Sequence, residues 1–238
     1  AALCLKVGLQ SCKELREATM IRWMGKGLTE ADLAMLGTLG SVLPALETLA
    51  LYEPAADPNG VQRLATGLGA GALPAVTVLA INFMHVGDAG AGALAAALGR
   101  GALPRLKNLI LADAAIGDAG LVALAPALRR RHALEELNLT GNPLGDEGLA
   151  ALVAPPAAGA LPQTGVLTKL KLLSFTQTQI TDAGCTTLAS ALDGGALPAL
   201  EVLNMHDSPA SAAAKAAVHD ALARSILRDP LSRSTVRS

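Results

Sequence analysis

The hexapeptide LKNLIL, Leu106 to Leu111, decides the fold, because its pattern returns along most of the chain. Five residues after Leu111 comes IGDAG, Ile116 to Gly120, and then an Ala- and Leu-rich run to Leu128. Alternating apolar residues predict a short strand with one buried face. The later leucines recur at i, i+4 spacing, which predicts a helix with a narrow apolar stripe. One unit is therefore a strand followed by a helix.

The first apolar residue of each LxxLxL block marks the repeat, and successive markers lie 30, 30, 28, 36 and 30 residues apart. The markers are Leu46, Val76, Leu106, Leu134, Leu170 and Leu200. A weaker copy begins at Leu15. A single unit cannot bury both its strand face and its helix stripe, but stacked units can. The strands must run parallel, because each unit enters and leaves in the same sense.

Four of the predicted helices begin at an aspartate in a Gly-Asp-Ala-Gly motif or a close variant. Asp88, Asp118, Asp146 and Asp182 take this position, and Asp is a favoured N-cap residue. The sequence therefore predicts that each aspartate caps its own helix.

The pattern LxxLxLxxxxI-GD-G-xxALAxAL resembles the ribonuclease-inhibitor-like class of leucine-rich repeats, from about Leu15 to Leu222. The resemblance implies an α/β leucine-rich repeat solenoid, a horseshoe arc of about seven repeats with parallel strands on the concave face and helices on the convex face. The polar residue that this class places after the strand is Asn only at Asn142. We therefore expect less regular loops in the other units. Their residues at this position are Pro54, Met84, Ala114, Thr178 and Ser208.

The repeats predict one domain over residues 1–227. It comprises a degenerate N-terminal unit (1–43), regular repeats (44–210) and a C-terminal capping helix (211–227), and a polar tail follows at 228–238. The long spacing of 36 residues indicates an insertion over 154–166. Pro155 and Pro156 in this insertion cannot continue a helix.

Composition argues against several classes of protein. With 19 basic and 20 acidic residues, the chain lacks the basic excess of a nucleic-acid-binding protein. Three cysteines without CxxC spacing do not form a disulfide framework and favour a reducing compartment. No uninterrupted apolar run is long enough for a transmembrane helix. We expect an intracellular protein, either cytoplasmic or organellar after removal of a leader that the sequence does not show.

No signature of catalysis, cofactor binding or metal binding is evident. The histidines stand singly in different units, without the spacing of metal ligands. A nucleophile elbow, a Walker loop and an HExxH motif are absent. The sequence therefore predicts a protein that is not an enzyme, with no cofactor and no small-molecule substrate.

The strand face is the main candidate for binding a protein partner, since it is the usual docking surface of repeat horseshoes. A second candidate is the row that follows each strand, which consists of Glu53, Phe83, Asp113, Gln177 and Asp207. With Trp23, Met84 and His85 this row would form an edge patch, although Phe83 and Trp23 are equally compatible with packing inward. The selected protein-binding residues are Tyr52, Asn82, Phe83, Asn108, Ile110, Asp113, Glu136, Asn138, Leu172, Thr176, Asn204 and His206.

The densest run of charge, from Arg129 to His132, has two interpretations. It could hold a phosphate or an acidic partner. The favoured interpretation is a solvated helix C-terminus, where cations suit the macrodipole.

These features favour a non-catalytic protein–protein interaction or scaffold module that acts as a subunit of a larger assembly. Two alternatives stay open. A GTPase-activating protein of the Ran-directed type resembles this repeat class and would use polar residues on the strand-to-helix edge. The chain could also be the sensing repeat region of a larger nucleotide-binding receptor.

Overall fold

A computed structural model describes residues 6, 8, 10–54, 59–131, 133–154 and 167–228. In this part of the chain seven strands form one parallel sheet in chain order, and a helix follows each strand. The strands are β1 (Met20–Met24), β2 (Thr48–Tyr52), β3 (Val78–Asn82), β4 (Asn108–Ile110), β5 (Glu136–Asn138), β6 (Leu172–Ser174) and β7 (Val202–Asn204). The helices are α1 (Cys12–Glu17), α2 (Glu30–Leu39), α3 (Gly60–Gly67), α4 (Gly87–Gly99), α5 (Asp118–Arg129), α6 (Asp146–Val153), α7 (Asp182–Asp193) and α8 (Ala212–Arg228). The predicted repeat solenoid with parallel strands is confirmed.

Equivalent residues of successive repeats lie side by side in the sheet. Thr48 pairs with Val78, and Val78 pairs with Asn108. Leu109 and Leu111 are buried towards the helices, as are their counterparts in the other repeats. Helices are about 10 Å wide whereas strands are about 4.8 Å apart, so the stack curves with its strands on the inner side. We call the outward-facing residues of β1–β7, on the side away from the helices, the open sheet face.

The first repeat begins three residues later than the sequence predicts. Met20 pairs with Thr48, which makes Ala18 the counterpart of the marker Leu46. Leu15 instead lies in α1, where it is buried. Ile21 and Trp23 supply the two core side chains of β1. The prediction was wrong because a small alanine occupies the marker position, so Leu15 fitted the leucine pattern better.

The loops after the strands are regular, contrary to expectation. The same repeat position has a positive φ in six of them, at Gly25, Phe83, Asp113, Gly141, Gln177 and Asp207. The parallel ladder continues through this position, because the Phe83 N–H donates to the Ala112 carbonyl and equivalent bonds recur in the later loops. Backbone hydrogen bonds therefore keep these loops regular without a polar side chain that recurs from repeat to repeat.

Asn142 is the most connected side chain of these loops. Its amide oxygen accepts hydrogen bonds from the N–H groups of Ala114 and Ile116, at 3.2 and 2.9 Å. Its amide nitrogen donates to the carbonyls of Leu111, Leu139 and Thr140. At the equivalent position, the Thr178 and Ser208 hydroxyls each donate to one carbonyl three residues earlier. Each hydroxyl thus supplies one hydrogen bond to the loop backbone, where the Asn142 side chain supplies five.

Helix α8 lies where the sequence predicts a capping helix, and it packs against α7. The single-domain organisation over 1–227 and its internal boundaries stay predictions. The predicted insertion, apart from Ala154, and the tail, apart from Arg228, lie outside the described residues.

Candidate protein-binding face

The open sheet face brings the predicted binding residues together in rows that cross the strands. One row runs from Asn108 through Glu136 to Leu172, and the next runs from Ile110 through Asn138 to Ser174 and Asn204. Tyr52 lies beside Asn82 in the register of β2 and β3. Thr176 and His206 follow β6 and β7 in the next position of the same alternation. Almost all of these side chains are half-buried, and His206 is exposed. Their role in binding remains a prediction.

The polar side chains of this face largely bond to one another. The Asn108 amide donates to Glu136, and the Asn82 amide oxygen accepts from the Ala112 N–H at 3.2 Å. The Thr140 and Ser174 hydroxyls are 2.9 Å apart. These contacts order the side chains before any partner arrives, which reduces the entropy lost on binding.

The two ends of the open sheet face differ in chemistry. Strands β5–β7 and the residues after them contribute Glu136, Asn138, Thr140, Ser174, Thr176, Asn204 and His206, with Leu172 and Val202 as apolar members. Strands β1–β3 are mainly apolar and contribute Met20, Met24, Ala50, Tyr52, Val78 and Ala80. A partner that covers the whole face would therefore meet an apolar surface at one end and a polar surface at the other.

Sequence reasoning missed three residues of this face, Met20, Arg22 and Met24. All three are exposed on β1, while Ile21 and Trp23 between them are buried. The alternation of the segment MIRWM was the available signal, but the misplaced first marker hid it. The omission matters because Met20 and Met24 are 53% and 62% exposed, among the most exposed large apolar residues described.

The predicted edge patch is only partly correct. Phe83 is exposed, and its ring centroid is 5.2 Å from that of Tyr52 at an interplanar angle of 59°. Trp23 and Met84 are buried in the core, and Glu53 is buried as it accepts a hydrogen bond from the Leu28 N–H. Glu53 and Met84 were assigned wrongly because the loops after β2 and β3 fold back over the core. Trp23 packs inward from strand β1, which is one of the two positions left open for it. Asp113, Gln177 and Asp207 remain exposed on the edge.

Aspartates link the first turns of successive helices, which corrects the predicted N-caps. Gly117 and Gly145 are the N-caps, and Asp118 and Asp146 are the first helical residues. The Asp118 carboxylate accepts hydrogen bonds from Gly145 and Gly148 of the next repeat, at 2.7 and 2.8 Å. Each aspartate thus caps the helix that follows its own.

The same link recurs along the stack. Asp88 accepts from the N–H groups of Gly117 and Gly120, Asp146 accepts from Thr181, and Asp182 accepts from Ser211. We call these four aspartates and the backbone N–H groups that donate to them the aspartate ladder. It fixes the spacing of adjacent repeats and hence the rows of the open sheet face.

A family model described as a leucine-rich repeat matches residues 104–125 and 132–153. These segments coincide with two of the strand–helix units of the seven-stranded parallel stack. The chain is a leucine-rich repeat protein. No curated protein matches it at a significant level.

Solved structures similar to this leucine-rich repeat protein include actin-binding site 2 of leiomodin-1, with 20% identity and a TM-score of 0.51 over 74% of this chain and 91% of that one. The C-terminal domain of Caenorhabditis elegans tropomodulin matches at 13% identity and a TM-score of 0.49, over 86% and 97%. An internalin of Listeria monocytogenes matches at 15% identity and a TM-score of 0.40, over 76% and 48%. At these identities the similarity supports the fold alone. The ribonuclease-inhibitor-like class stays a prediction.

The arginine run of this leucine-rich repeat protein ties helix C-termini together. The Arg129 guanidinium donates to the carbonyls of Ala151 and Ala154 at the end of α6. Arg131 reaches in the opposite direction, to the carbonyls of Leu98 and Ala102 around the end of α4. Burial lowers the pKa of Arg131 below its usual range. This confirms that the run marks a helix C-terminus. Two of its arginines, however, bond carbonyls of neighbouring repeats. His132 lies outside the described residues.

Arg131→Gln is expected to lower the free energy of unfolding by about 1 kcal/mol, because two carbonyls lose a charged donor at a half-buried site. Arg130→Gln is the matched control, since Arg130 is the exposed neighbour in the same run. Urea unfolding followed by circular dichroism would compare the two variants. Equal effects of the two changes would contradict the assigned role of Arg131.

The residues directly before strands β4, β5 and β6 alternate in charge. Lys107 and Lys171 flank Glu135, with N–O distances of 3.1 and 3.8 Å. The hydrogen bond from Lys107 lowers the pKa of Glu135 below its usual range. In the aspartate ladder, the Ser211 backbone N–H and then its hydroxyl lower the pKa of Asp182 below the ordinary value of 3.8.

These shifts predict that acid destabilises the fold. Because the folded-state pKa values lie below the unfolded ones, the unfolded chain takes up protons first as the pH falls. The contribution of these carboxylates is complete above the ordinary values of 4.5 and 3.8 and is lost as the pH falls through the folded-state values. Urea midpoints should drop between about pH 5 and pH 3, and Asp182→Asn should make that drop smaller. An unchanged pH slope in this variant would contradict the link.

Neither a metal centre nor a membrane span is evident in the part of the chain that the structure describes. No group of three or more His, Cys, Asp or Glu residues there is arranged to hold a metal ion. None of the described helices combines the length and the apolarity needed to cross a membrane.

Proposed function

We propose that this leucine-rich repeat protein is a non-catalytic module that binds a protein partner on its open sheet face, as a subunit of a larger assembly. The observation that carries the proposal is the difference between the two faces of the sheet. Helix-facing residues fill the core, whereas the other face of seven strands is covered by none of the described helices. Seven strands at about 4.8 Å spacing give a surface about 30 Å across.

The preorganised side chains support this proposal. The contacts of Asn108 with Glu136 and of Thr140 with Ser174 fix polar groups in place. Of these four residues Ser174 is buried, and the other three are half-buried. Such groups can specify a partner at low entropic cost. The similar leiomodin-1 structure is an actin-binding site, so another chain of this fold binds a protein. This similarity does not identify the partner here.

Site-specific photocrosslinking tests the proposal with a matched pair of valines. Val202 is 43% exposed on the open sheet face, and Val122 is 37% exposed on helix α5. Each would be replaced by a photoreactive phenylalanine analogue, and the protein irradiated in an extract of the cells that produce it. We expect discrete protein adducts from position 202 and none from position 122. Adducts only from position 122, or none from either position, would overturn the proposal.

The two alternative functions stay predictions with tests of their own. A GTPase-activating protein would accelerate GTP hydrolysis by a small GTPase, which single-turnover measurements detect directly. A sensing region would be joined to a nucleotide-binding domain, so the full-length gene product would contain a P-loop.

A further inference from the structure

We propose that the apolar end of the open sheet face binds an amphipathic helix of the partner, which presents an apolar side chain and a carboxylate. This inference rests on the proposed function and names the partner's chemistry. The binding site consists of Met24, Tyr52 and Phe83, which we call the aromatic patch, together with Arg22.

The aromatic patch is contiguous across three strands. Met24 pairs with Tyr52, and Tyr52 pairs with Asn82, the residue before Phe83. The Tyr52 and Phe83 rings are in tilted contact at 5.2 Å. Met24 and Phe83 are 62% and 50% exposed, so the patch presents a flexible thioether beside two rings. Aromatic and methionine side chains of this kind are enriched at the centres of protein interfaces.

The backbone of Phe83 indicates that folding alone does not favour phenylalanine here. Its φ of 53° lies in the left-handed region, which suits Gly, Asn and Asp and disfavours bulky residues. The equivalent positions in later repeats hold Asp113, Gly141, Gln177 and Asp207. Because the Phe83 ring is half exposed, burial in the core does not compensate for this conformation. A binding role would account for the ring.

Arg22 supplies the charge that the partner must match. It is exposed at the centre of β1, beside Ala50 of β2. Among the described residues, no hydrogen bond or ion pair to its side chain is present. The carboxylate of this face, Glu136, lies four strands away on β5, about 19 Å at the usual spacing, and bonds Asn108. At that distance salt screens it from Arg22, so the Arg22 side chain, which has no ion pair within the described residues, is available to a partner carboxylate.

A helix suits this surface better than an extended segment does. The strands of the open sheet face already pair with one another, so an extended chain laid across them gains no backbone hydrogen bonds. A helix satisfies its own backbone and places apolar residues at i, i+3 and i+4 on one side. An acidic residue one turn away would then reach Arg22.

The experiment uses a displayed library of helical peptides about 18 residues long, with the residues of one helix side randomised. Peptides selected on the wild-type protein would be measured by fluorescence anisotropy against Phe83→Asn and Arg22→Glu. Asn suits the left-handed backbone, so Phe83→Asn should keep or raise the melting temperature. We expect selection of Leu, Phe or Met with Asp or Glu, and at least about tenfold weaker binding to each variant.

Three results would overturn the inference, and a control separates them from failure of the proposed function. Val122→Lys, on the exposed side of helix α5 and outside the open sheet face, is the control and should leave peptide binding unchanged. Glu136→Lys probes the polar end of the open sheet face. If the selected peptides lose affinity for Glu136→Lys but not for the two patch variants, the inference is wrong while binding on this face stands. Selection of extended peptides that bind at the edge of β1 would also contradict it. If no peptide is selected and position 202 gives no crosslink, both proposals fail.

Discussion

Asn142→Ala is expected to lower the free energy of unfolding by about 3 kcal/mol, since it removes a buried amide that bonds five backbone groups. The N–H groups of Ala114 and Ile116 would lose their acceptor inside the stack. Each buried polar group left without a partner costs about 1–3 kcal/mol. Some of this loss is recovered because the Thr140 carbonyl also accepts from the Asp113 N–H.

Thr178→Val is the matched control, at the equivalent position of the next repeat. Thr178 is equally buried and donates a single hydrogen bond, to the Phe175 carbonyl at 2.7 Å. Its replacement should cost about 1 kcal/mol. Guanidinium unfolding, followed by circular dichroism, measures both variants. If Asn142→Ala costs no more than Thr178→Val, the asparagine does not have the structural role assigned to it.

The sequence predicts the repeat because the core of each unit is local in sequence. Leu106, Leu109 and Leu111 are all buried, as their spacing indicates. The first repeat was placed wrongly because its core uses Ile21 and Trp23 behind an alanine marker, Ala18. Pattern recognition fails where an alanine fills a position that leucine or valine occupies in the other repeats.

The aspartate ladder could not be derived from the favoured position of aspartate alone. A carboxylate in the first turn can cap its own helix or a neighbouring one, and local sequence does not distinguish the two. The ladder partners of Asp88 and Asp118 are 27 to 32 residues away. A signal was present in the last glycine of three of the motifs, because a carboxylate from the preceding repeat fills the space of its missing side chain. These glycines are Gly120, Gly148 and Gly184.

For the open sheet face too, local sequence predicts the position of the side chains but not their contacts. Strand alternation predicts which residues point away from the helices, and the structure places Tyr52, Ile110 and Asn138 there. Alternation does not show which of them bond to one another, as Asn108 does with Glu136. It also does not show that a loop residue such as Glu53 folds inward to bond the Leu28 N–H. Those outcomes depend on neighbours that the chain brings together only after folding.

The aspartate ladder gives the second large effect, which we expect for Asp118→Ala. This change leaves the N–H groups of Gly145 and Gly148 without their acceptor and should cost about 2 kcal/mol. Gly148→Ala should act on the same link from the other side. A Cβ at Gly148 would lie 2.8 Å from the Asp118 carboxylate oxygen, so the carboxylate must move away from both N–H groups.

A double-mutant cycle separates this link from ordinary effects on the helix. In the Asp118→Ala background the carboxylate is gone, so Gly148→Ala should cost at least about 1 kcal/mol less than it does in the wild type. Gly92→Ala in α4 is the control, because no atom beyond the adjacent backbone of its own helix lies within 4 Å of its added Cβ. That substitution should raise stability by about 0.5–1 kcal/mol and should be additive with Asp118→Ala. Additivity of Gly148→Ala with Asp118→Ala would mean that the carboxylate does not occupy the space above the glycine, and the ladder would then not explain the Gly-Asp-x-Gly motif.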